Sequence, residues 1–291
     1  MRSVLDELVS LLGLERIEEN LFRGQSQDLG WGAIFGGQVL GQALSAAAQT
    51  VPVERGAHSF HGYFLRTGDA RRPVVYEVDR IRDGKSFTTR RVVAIQGGHA
   101  IFSMGASFQR TEDGFDHEDA MPDVSGPEGL LSERELAQTA ADRIPEPLRS
   151  RVLAERPFEM RPVTPYDPFA PTKVAPRRYI WMRASGPLPD VPALHRYLLA
   201  YASDFNFLTT AMMPHGVSWL TPGMQCASLD HAMWFHRPFR VDDWLLYDIS
   251  SPTASHARGL VRGSVFDRSG RLVATTTQEG LMRRRGASDG L

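Results

Sequence analysis

From Phe60 to Gln109 apolar and polar residues alternate over three or four strand-length runs, separated by Thr67-Gly68-Asp69, Arg82-Asp83-Gly84-Lys85 and Gln96-Gly97-Gly98. Period-two alternation predicts strands with one buried face, and connections this short predict antiparallel neighbours. The pattern recurs from Ser228 to Met282. Tyr247 lies 171 residues after Tyr76, and at that spacing Trp234-Phe235-His236-Arg237 falls on Tyr63-Phe64-Leu65-Arg66. Leu245-Leu246-Tyr247-Asp248-Ile249 falls on Val74-Val75-Tyr76-Glu77-Val78, Arg262 on Arg91 and Leu272-Val273 on Ile101-Phe102, with no gap needed between Phe60 and Gln109. So long a period excludes a solenoid and predicts one unit written twice.

A helical stretch precedes each strand block. Val4, Leu8, Leu11 and Leu12 share one helical face at the start of the chain. Asn20 to Gly24 predicts a short strand. Gly37 to Gln49 predicts a helix of unusually small residues, which lets it lie close against the strands that grip it. In the second half Tyr179 to Arg183 takes the place of the strand at Leu21, and Leu194 to Met213 that of the helix. Thirteen of the 19 prolines fall between Pro122 and Pro192, which predicts connector rather than core there. Within it Ser132, with Glu135 three residues on, can cap a surface helix running to Arg143. The expected organisation is α+β: an N-terminal repeat over residues 1–115, a connector with its surface helix over 116–156, and a C-terminal repeat over 157–291. Each repeat is a long helix wrapped by an antiparallel sheet.

Composition narrows the function without naming it. A chain of 291 residues can bury two cores, and 42% hydrophobic with 23% charged residues is the make-up of a soluble globular protein. A net charge of −1 removes any global attraction to nucleic acid or to an anionic membrane. No apolar run reaches the roughly 18 residues that span a bilayer. The first residues carry Asp6, Glu7 and Glu15 in place of the basic start of a secretory signal. Cys226 is alone, which excludes an intrachain disulfide and a thiolate metal site, and is expected to be a small buried side chain. A cytoplasmic protein is expected, with no metal and no cofactor. Arg283-Arg284-Arg285 is expected to be a solvated end.

Among polar residues the pattern singles out Asp204. On a straight helix Tyr197, Tyr201, Asp204, Leu208 and Ala211 form one stripe, apolar but for the carboxylate. Left unpaired there, it would cost several kcal/mol. Either it caps a helix restarting at Phe205 or it faces a polar pocket, and both can hold. Gln278 and Ser228, polar residues in strand-like runs, are candidate partners. At the 171-residue spacing they fall on Ser107 and Ala57, so the first copy lacks the pair, and polar groups confined to one copy point to one working site per chain. Gly36 and Gly37 open the small-residue helix, where unpaired backbone N–H groups can receive negative charge; close packing accounts equally for the same glycines. Gly30, Gly32 and Gly36 have the wrong spacing for a dinucleotide fingerprint, and the chain has no nucleophile elbow, H-E-x-x-H or P-loop. Asp116-His117-Glu118-Asp119 is expected to be a solvated acidic loop. Asp230 and His231 would point to opposite faces of a strand. His231, which falls on Phe60, is expected to be structural, as are His236 and His61.

Phe35-Gly36-Gly37-Gln38-Val39, His58-Ser59-Phe60-His61, Tyr201-Ala202-Ser203-Asp204, Asp230 through Pro238, and Gln278-Glu279-Gly280 closely resemble bacterial acyl-CoA thioesterase II, almost end to end as far as Met282. The resemblance implies a double hotdog fold, a homo-oligomer (dimer or tetramer), and hydrolysis of acyl-CoA to free fatty acid and CoA without metal or covalent intermediate. It also implies a catalytic trio of Asp204, the Ser228 hydroxyl and Gln278 that holds and activates water. The family pattern has threonine at 228; serine keeps the hydroxyl but lacks the methyl that restricts its rotamer. Gly36, Gly37 and Gln38 are the candidate substrate and oxyanion contacts. A hotdog hydratase needs a His five residues after the Asp, and Thr209 stands there. A non-catalytic acyl-CoA binding protein of the same fold remains the alternative; retention of Asp204 and Gln278 favours the hydrolase.

Overall fold

The computed structural model describes residues 2–285; Met1 and residues 286–291, the outermost residues of the two expected repeats, lie outside them. The first half comprises α1 (Val4–Leu12), β1 (Glu15–Glu18), β2 (Leu21–Gly24), α2 (Gly36–Ala48), β3 (Arg55–Phe64), β4 (Val74–Asp83), β5 (Phe87–Gln96) and β6 (His99–Arg110). The connector carries α3 (Glu133–Thr139) and α4 (Leu148–Leu153). The second half comprises β7 (Phe158–Pro162), β8 (Arg177–Ala184), α5 (Pro192–Ser203), α6 (Phe207–Met212), β9 (Met224–Ser228), β10 (Asp230–Phe235), β11 (Leu245–Ser255), β12 (Arg258–Asp267) and β13 (Leu272–Arg284). All strand pairs are antiparallel and join in one sheet, in the order β1-β2-β4-β5-β6-β3-β10-β13-β12-β11-β8-β7, with β9 on β13. The β3–β10 pairing fuses the halves. Two helix-and-sheet units thus share one continuous wall.

Inside that wall α2 and α5 pack against each other. Gly37 lies over the Tyr201 carbonyl and Gly41 over that of Tyr197, so the helices run antiparallel. A Cβ on Gly37 would stand 2.2 Å from the Tyr201 oxygen, and one on Gly41 3.0 Å from that of Tyr197. The small residues of α2 therefore serve close contact with another helix as well as with strands. Its residues Gly37 to Ala47 are all buried, and two of them carry carboxamides that need partners. Gln42 Nε2 donates to the carbonyls of Leu11 and Gln25, and its Oε1 accepts from the Tyr76 hydroxyl. Gln38 Oε1 accepts the Gln27 N–H, and its Nε2 donates to Gln25 O and Gln42 Oε1. Ser3 caps α1 through a capping box with Asp6, and Leu5, Leu8 and Leu12 bury its inner face. The expected connector helix forms from Glu133, with Ser132 and Glu135 making its box.

The duplication is present with one correction. Gly263 lies 171 residues after Val92, but their ladder partners Thr276 and Met104 are 172 apart. The hairpins explain the extra residue. Gly97-Gly98 make a two-residue turn with φ of 61 and 81°, whereas Arg268-Ser269-Gly270 make a three-residue loop closed by Gly270 at 88°. One residue of slip turns every side chain to the other face of a strand. Gln278 opposes Val261, which places it on the counterpart of buried Ala106 rather than on Ser107. A second asymmetry lies in the partner strand: β3 is continuous, whereas its counterpart is interrupted at Leu229 into β9 and β10.

One further expectation changes. The long helix breaks at Asp204-Phe205-Asn206 and restarts at Phe207, so Asp204 ends α5 rather than capping α6, and the five-residue stripe does not continue past it. Arg283 and Arg284 are solvent-exposed, as expected, while their backbone extends β13 against β9. The acidic loop is exposed and irregular, as expected, with Arg237 pairing with its Asp116 and, at 3.0 Å, with Glu118.

The close helix contact is testable. Gly37→Ala should lower the unfolding free energy by about 1–3 kcal/mol through overpacking. Gly105→Ala, on open β6 surface with nothing near its Cβ position, should stay within about 0.5 kcal/mol. Urea denaturation of both variants checks the difference.

Candidate active site

Antiparallel packing brings the C-terminal end of α5 to the N-terminal end of α2, and Asp204 sits at that meeting point. It is the C-cap of α5, with φ −82° and ψ −10°. A carboxylate at a helix C-terminus opposes the helix dipole, whereas the N-terminus of α2 favours it. Gly36 makes room: a Cβ there would lie 2.5 Å from Asp204 Oδ2. The Gly37 backbone N–H faces the same carboxylate.

The strands supply the rest. Gln278 Nε2, on β13, donates to Asp204 Oδ1 at 3.1 Å. The Ser228 hydroxyl, on β9, donates to the same oxygen at 3.3 Å. The two donors come together because Ser228 pairs with Gly280 across the β9–β13 ladder. Burial pushes the Asp204 pKa above 3.8, and the Gln278, Ser228 and Gly37 donors oppose that shift without cancelling it. Among the described residues no cation is one of its partners. Ser228 stays half-buried while Gln278 is enclosed, so one side of the cluster is open. A partly accessible base of raised pKa between fixed donors is equipped to take a proton from water.

The other expected contacts are placed differently. The Gln38 N–H donates to Phe35 O at 3.0 Å and its carboxamide is committed to the loop at Gln25 and Gln27. Gln38 therefore braces the start of α2 and offers nothing to a ligand at Asp204. Among the described residues neither the Gly36 nor the Gly37 N–H has a backbone acceptor, and the Gly37 N–H faces the Asp204 carboxylate.

This geometry has relatives. Residues 147–281 match a family model described as acyl-CoA thioesterase, and residues 26–109 one described as acyl-CoA thioesterase N-terminal domain. An acyl-CoA thioesterase 2 of Haemophilus influenzae is 45% identical over 283 residues, covering 97% of this chain and 99% of its own. The chain belongs to the acyl-CoA thioesterase family. Human acyl-coenzyme A thioesterase 8 is 41% identical over 97% of this chain and 90% of its own. The crystal structure of an acyl-CoA thioesterase II from Mycobacterium marinum superposes with a TM-score of 0.77 at 42% identity, over 96% of this chain and 99% of that one. A hot dog fold protein of Alicyclobacillus acidocaldarius, 20% identical, reaches the same TM-score, so the fold is the double hotdog.

Around the carboxylate of this thioesterase-family chain stand residues that strand patterning did not assign. The Tyr247 hydroxyl donates to the Ser203 carbonyl at 3.1 Å and shares a 2.8 Å bond with Thr276 Oγ1. His231 is fully buried, with Nδ1 3.4 Å from Gln278 Oε1 and Nε2 3.0 Å from Ser203 Oγ. The signal for it was its alignment with Phe60, an imidazole where the other copy has a hydrocarbon ring. Among the described residues no three His, Cys, Asp or Glu side chains converge as metal ligands. Cys226 is half-buried with its thiol pKa raised by burial, which disfavours the thiolate.

Burial pushes the His231 pKa down to about 4 from 6.5. Between those values the unfolded chain binds the proton and the folded one does not, so stability falls as pH drops through the window, by up to about 3 kcal/mol. His231→Phe should remove this share. Denaturation at pH 7 and pH 4.5 should show a smaller acid loss in the variant; equal losses would mean that the ring is not buried neutral.

Proposed function

We propose that this protein hydrolyses acyl-CoA thioesters to free fatty acid and CoA, with Asp204 as general base. The observation that carries the proposal is the pair of donors, Gln278 and Ser228, converging on one oxygen of a carboxylate without a cation partner. Asp204 takes one proton of a water held by Gln278 and Ser228, and the water oxygen bonds to the thioester carbon. The carbonyl oxygen gains the negative charge, and the Gly36 N–H at the start of α2 is the donor placed to receive it. When the tetrahedral species collapses, the C–S bond breaks, the sulfur leaves as thiolate, and Asp204 returns its proton to it. Water, Asp204 and the substrate account for every proton and electron pair.

A cavity of about 950 Å³ beside the helix break, lined by Trp31, Phe158, Phe205 and Trp219 among others, supports a seat for the acyl group. Phe35, the residue before Gly36, stacks on the cavity residue Phe205 at 4.3 Å and meets Tyr201 edge-on. The division at 1–115, 116–156 and 157–291 belongs to the same proposal, supported by β6 ending at Arg110 and β7 beginning at Phe158. Assembly as a dimer or tetramer rests on the family resemblance, and a cytoplasmic location on the lone Cys226, which suits a reducing compartment. Among the described residues no helix is long and apolar enough to cross a membrane.

Thiol release from acyl-CoA esters of graded chain length tests the scheme. Asp204→Asn should remain folded and lose roughly 100- to 10,000-fold in rate. The acid limb of the wild-type kcat/KM profile should lie above 3.8, because activity is lost as pH falls through the raised Asp204 pKa. Equal rates in both proteins would remove Asp204 from the chemistry. Tight binding with no CoA released from any ester would favour the acyl-CoA-binding alternative.

A further inference from the structure

We infer that His231 is a positioning residue of this site: its Nδ1–H holds the Gln278 carboxamide in the one orientation that presents an N–H to Asp204. The inference rests on the water-activation scheme above. A carboxamide has two faces of similar shape and opposite polarity, and an ionised carboxylate only accepts. Gln278 Nε2 must therefore face Asp204 Oδ1, 3.1 Å away, which turns Oε1 toward His231 Nδ1 at 3.4 Å. Oε1 also only accepts, so Nδ1 carries the hydrogen. In a neutral imidazole Nε2 is then the acceptor, so the Ser203 hydroxyl, 2.9 Å from the Ala200 carbonyl and 3.0 Å from Nε2, gives its one hydrogen to the ring rather than to that carbonyl. The donors run in one direction: Ser203 to His231, His231 to Gln278, Gln278 to Asp204.

The surroundings keep the ring in that state. Phe60 and Phe207 flank it with ring centroids at 6.1 and 5.7 Å, and no charged group is among its partners. Burial disfavours its protonation, consistent with a neutral ring at ordinary pH. A flipped Gln278 would set oxygen against oxygen at Asp204 and remove one of the two side-chain donors that orient water. The repeats add an independent observation. The ladders place His231 on the counterpart of Phe60 and Gln278 on that of Ala106, so the first repeat lacks the imidazole and the carboxamide together. In the second repeat they stand one step beyond the Ala232–Thr277 pair, across from each other on adjacent strands.

The experiment separates positioning from packing. His231→Phe keeps a ring of similar size between Phe60 and Phe207 but has no N–H. His231→Asn places an amide N–H close to the position of Nδ1. His231→Phe should lower kcat on the order of tenfold to a hundredfold with KM nearly unchanged, and His231→Asn should recover most of the loss. In a Gln278→Ala background His231→Phe should cost nothing further, because the imidazole acts through the carboxamide. Wild-type kcat in His231→Phe, equal impairment of the Phe and Asn variants, or additive losses in the double variant would each overturn the inference. Should His231→Phe fail to fold, ¹⁵N spectra of the wild-type histidines decide: the Nδ1–H tautomer is expected for His231, and the Nε2–H tautomer would contradict it. Asp204→Asn measured alongside keeps the two proposals apart. If it retains full activity the water-activation scheme fails and this inference with it; if it is inactive while His231→Phe is unaffected, only the role of His231 fails.

Discussion

A half-buried carboxylate at the wrong end of its own helix is the constraint on which the site depends. Asp204 ends α5, where backbone carbonyls repel negative charge, and no cation among the described residues offsets it. It is tolerated because a second helix begins opposite, its first two residues free of side chains. Gly36 yields the space for the carboxylate and Gly37 the approach of the α5 backbone. The helix break follows from the same demand. Asn206 adopts the left-handed conformation at φ 63°, which ends α5 and redirects the chain into α6. A continuous helix would have carried the apolar stripe past Asp204 and left no gap beside the carboxylate for strand donors.

Duplication supplied a symmetric frame, and small breaks in that symmetry made one half chemical. The interruption at Leu229 splits a strand that is whole in the first repeat and presents Ser228 at its end. Asp230 stabilises the break by accepting the Glu279 N–H at 2.6 Å. The longer hairpin before β13 brings Gln278 to an inward position filled in the first repeat by the methyl of Ala106. Both changes are local, and each leaves the hydrogen-bonded ladders on either side intact.

The connector is bound to the site as well as joining the halves. Asn206 Nδ2 donates to Glu133 Oε1 at 2.9 Å, and Arg178 donates to Asn206 Oδ1 at 2.9 Å. The residue that breaks the helix is thereby tied to the first turn of α3 and to β8. Arg237 holds Asp116 and Glu118 farther along the same segment. Both contacts join residues far apart in the chain, so the connector's course over the cavity depends on the tertiary fold of both repeats.

Much of this was legible in the sequence, because periodicity and punctuation are local. Alternating residues and short turns determined the antiparallel strands, the 171-residue recurrence determined the duplication, and a carboxylate in an apolar stripe marked Asp204. The small residues of α2 announced a close contact without saying with what. Tertiary structure decided the rest, because it depends on which distant atoms meet. It placed the N-terminus of α2 against the end of α5, committed Gln38 to the scaffold, and moved the counterpart of Gln278 by one residue through a hairpin. It also turned His231 from an oddity of alignment into the neighbour of a carboxamide. A hydrogen bond spanning two strands, or a helix end facing another helix end, leaves no period in the chain, and only folded coordinates reveal it.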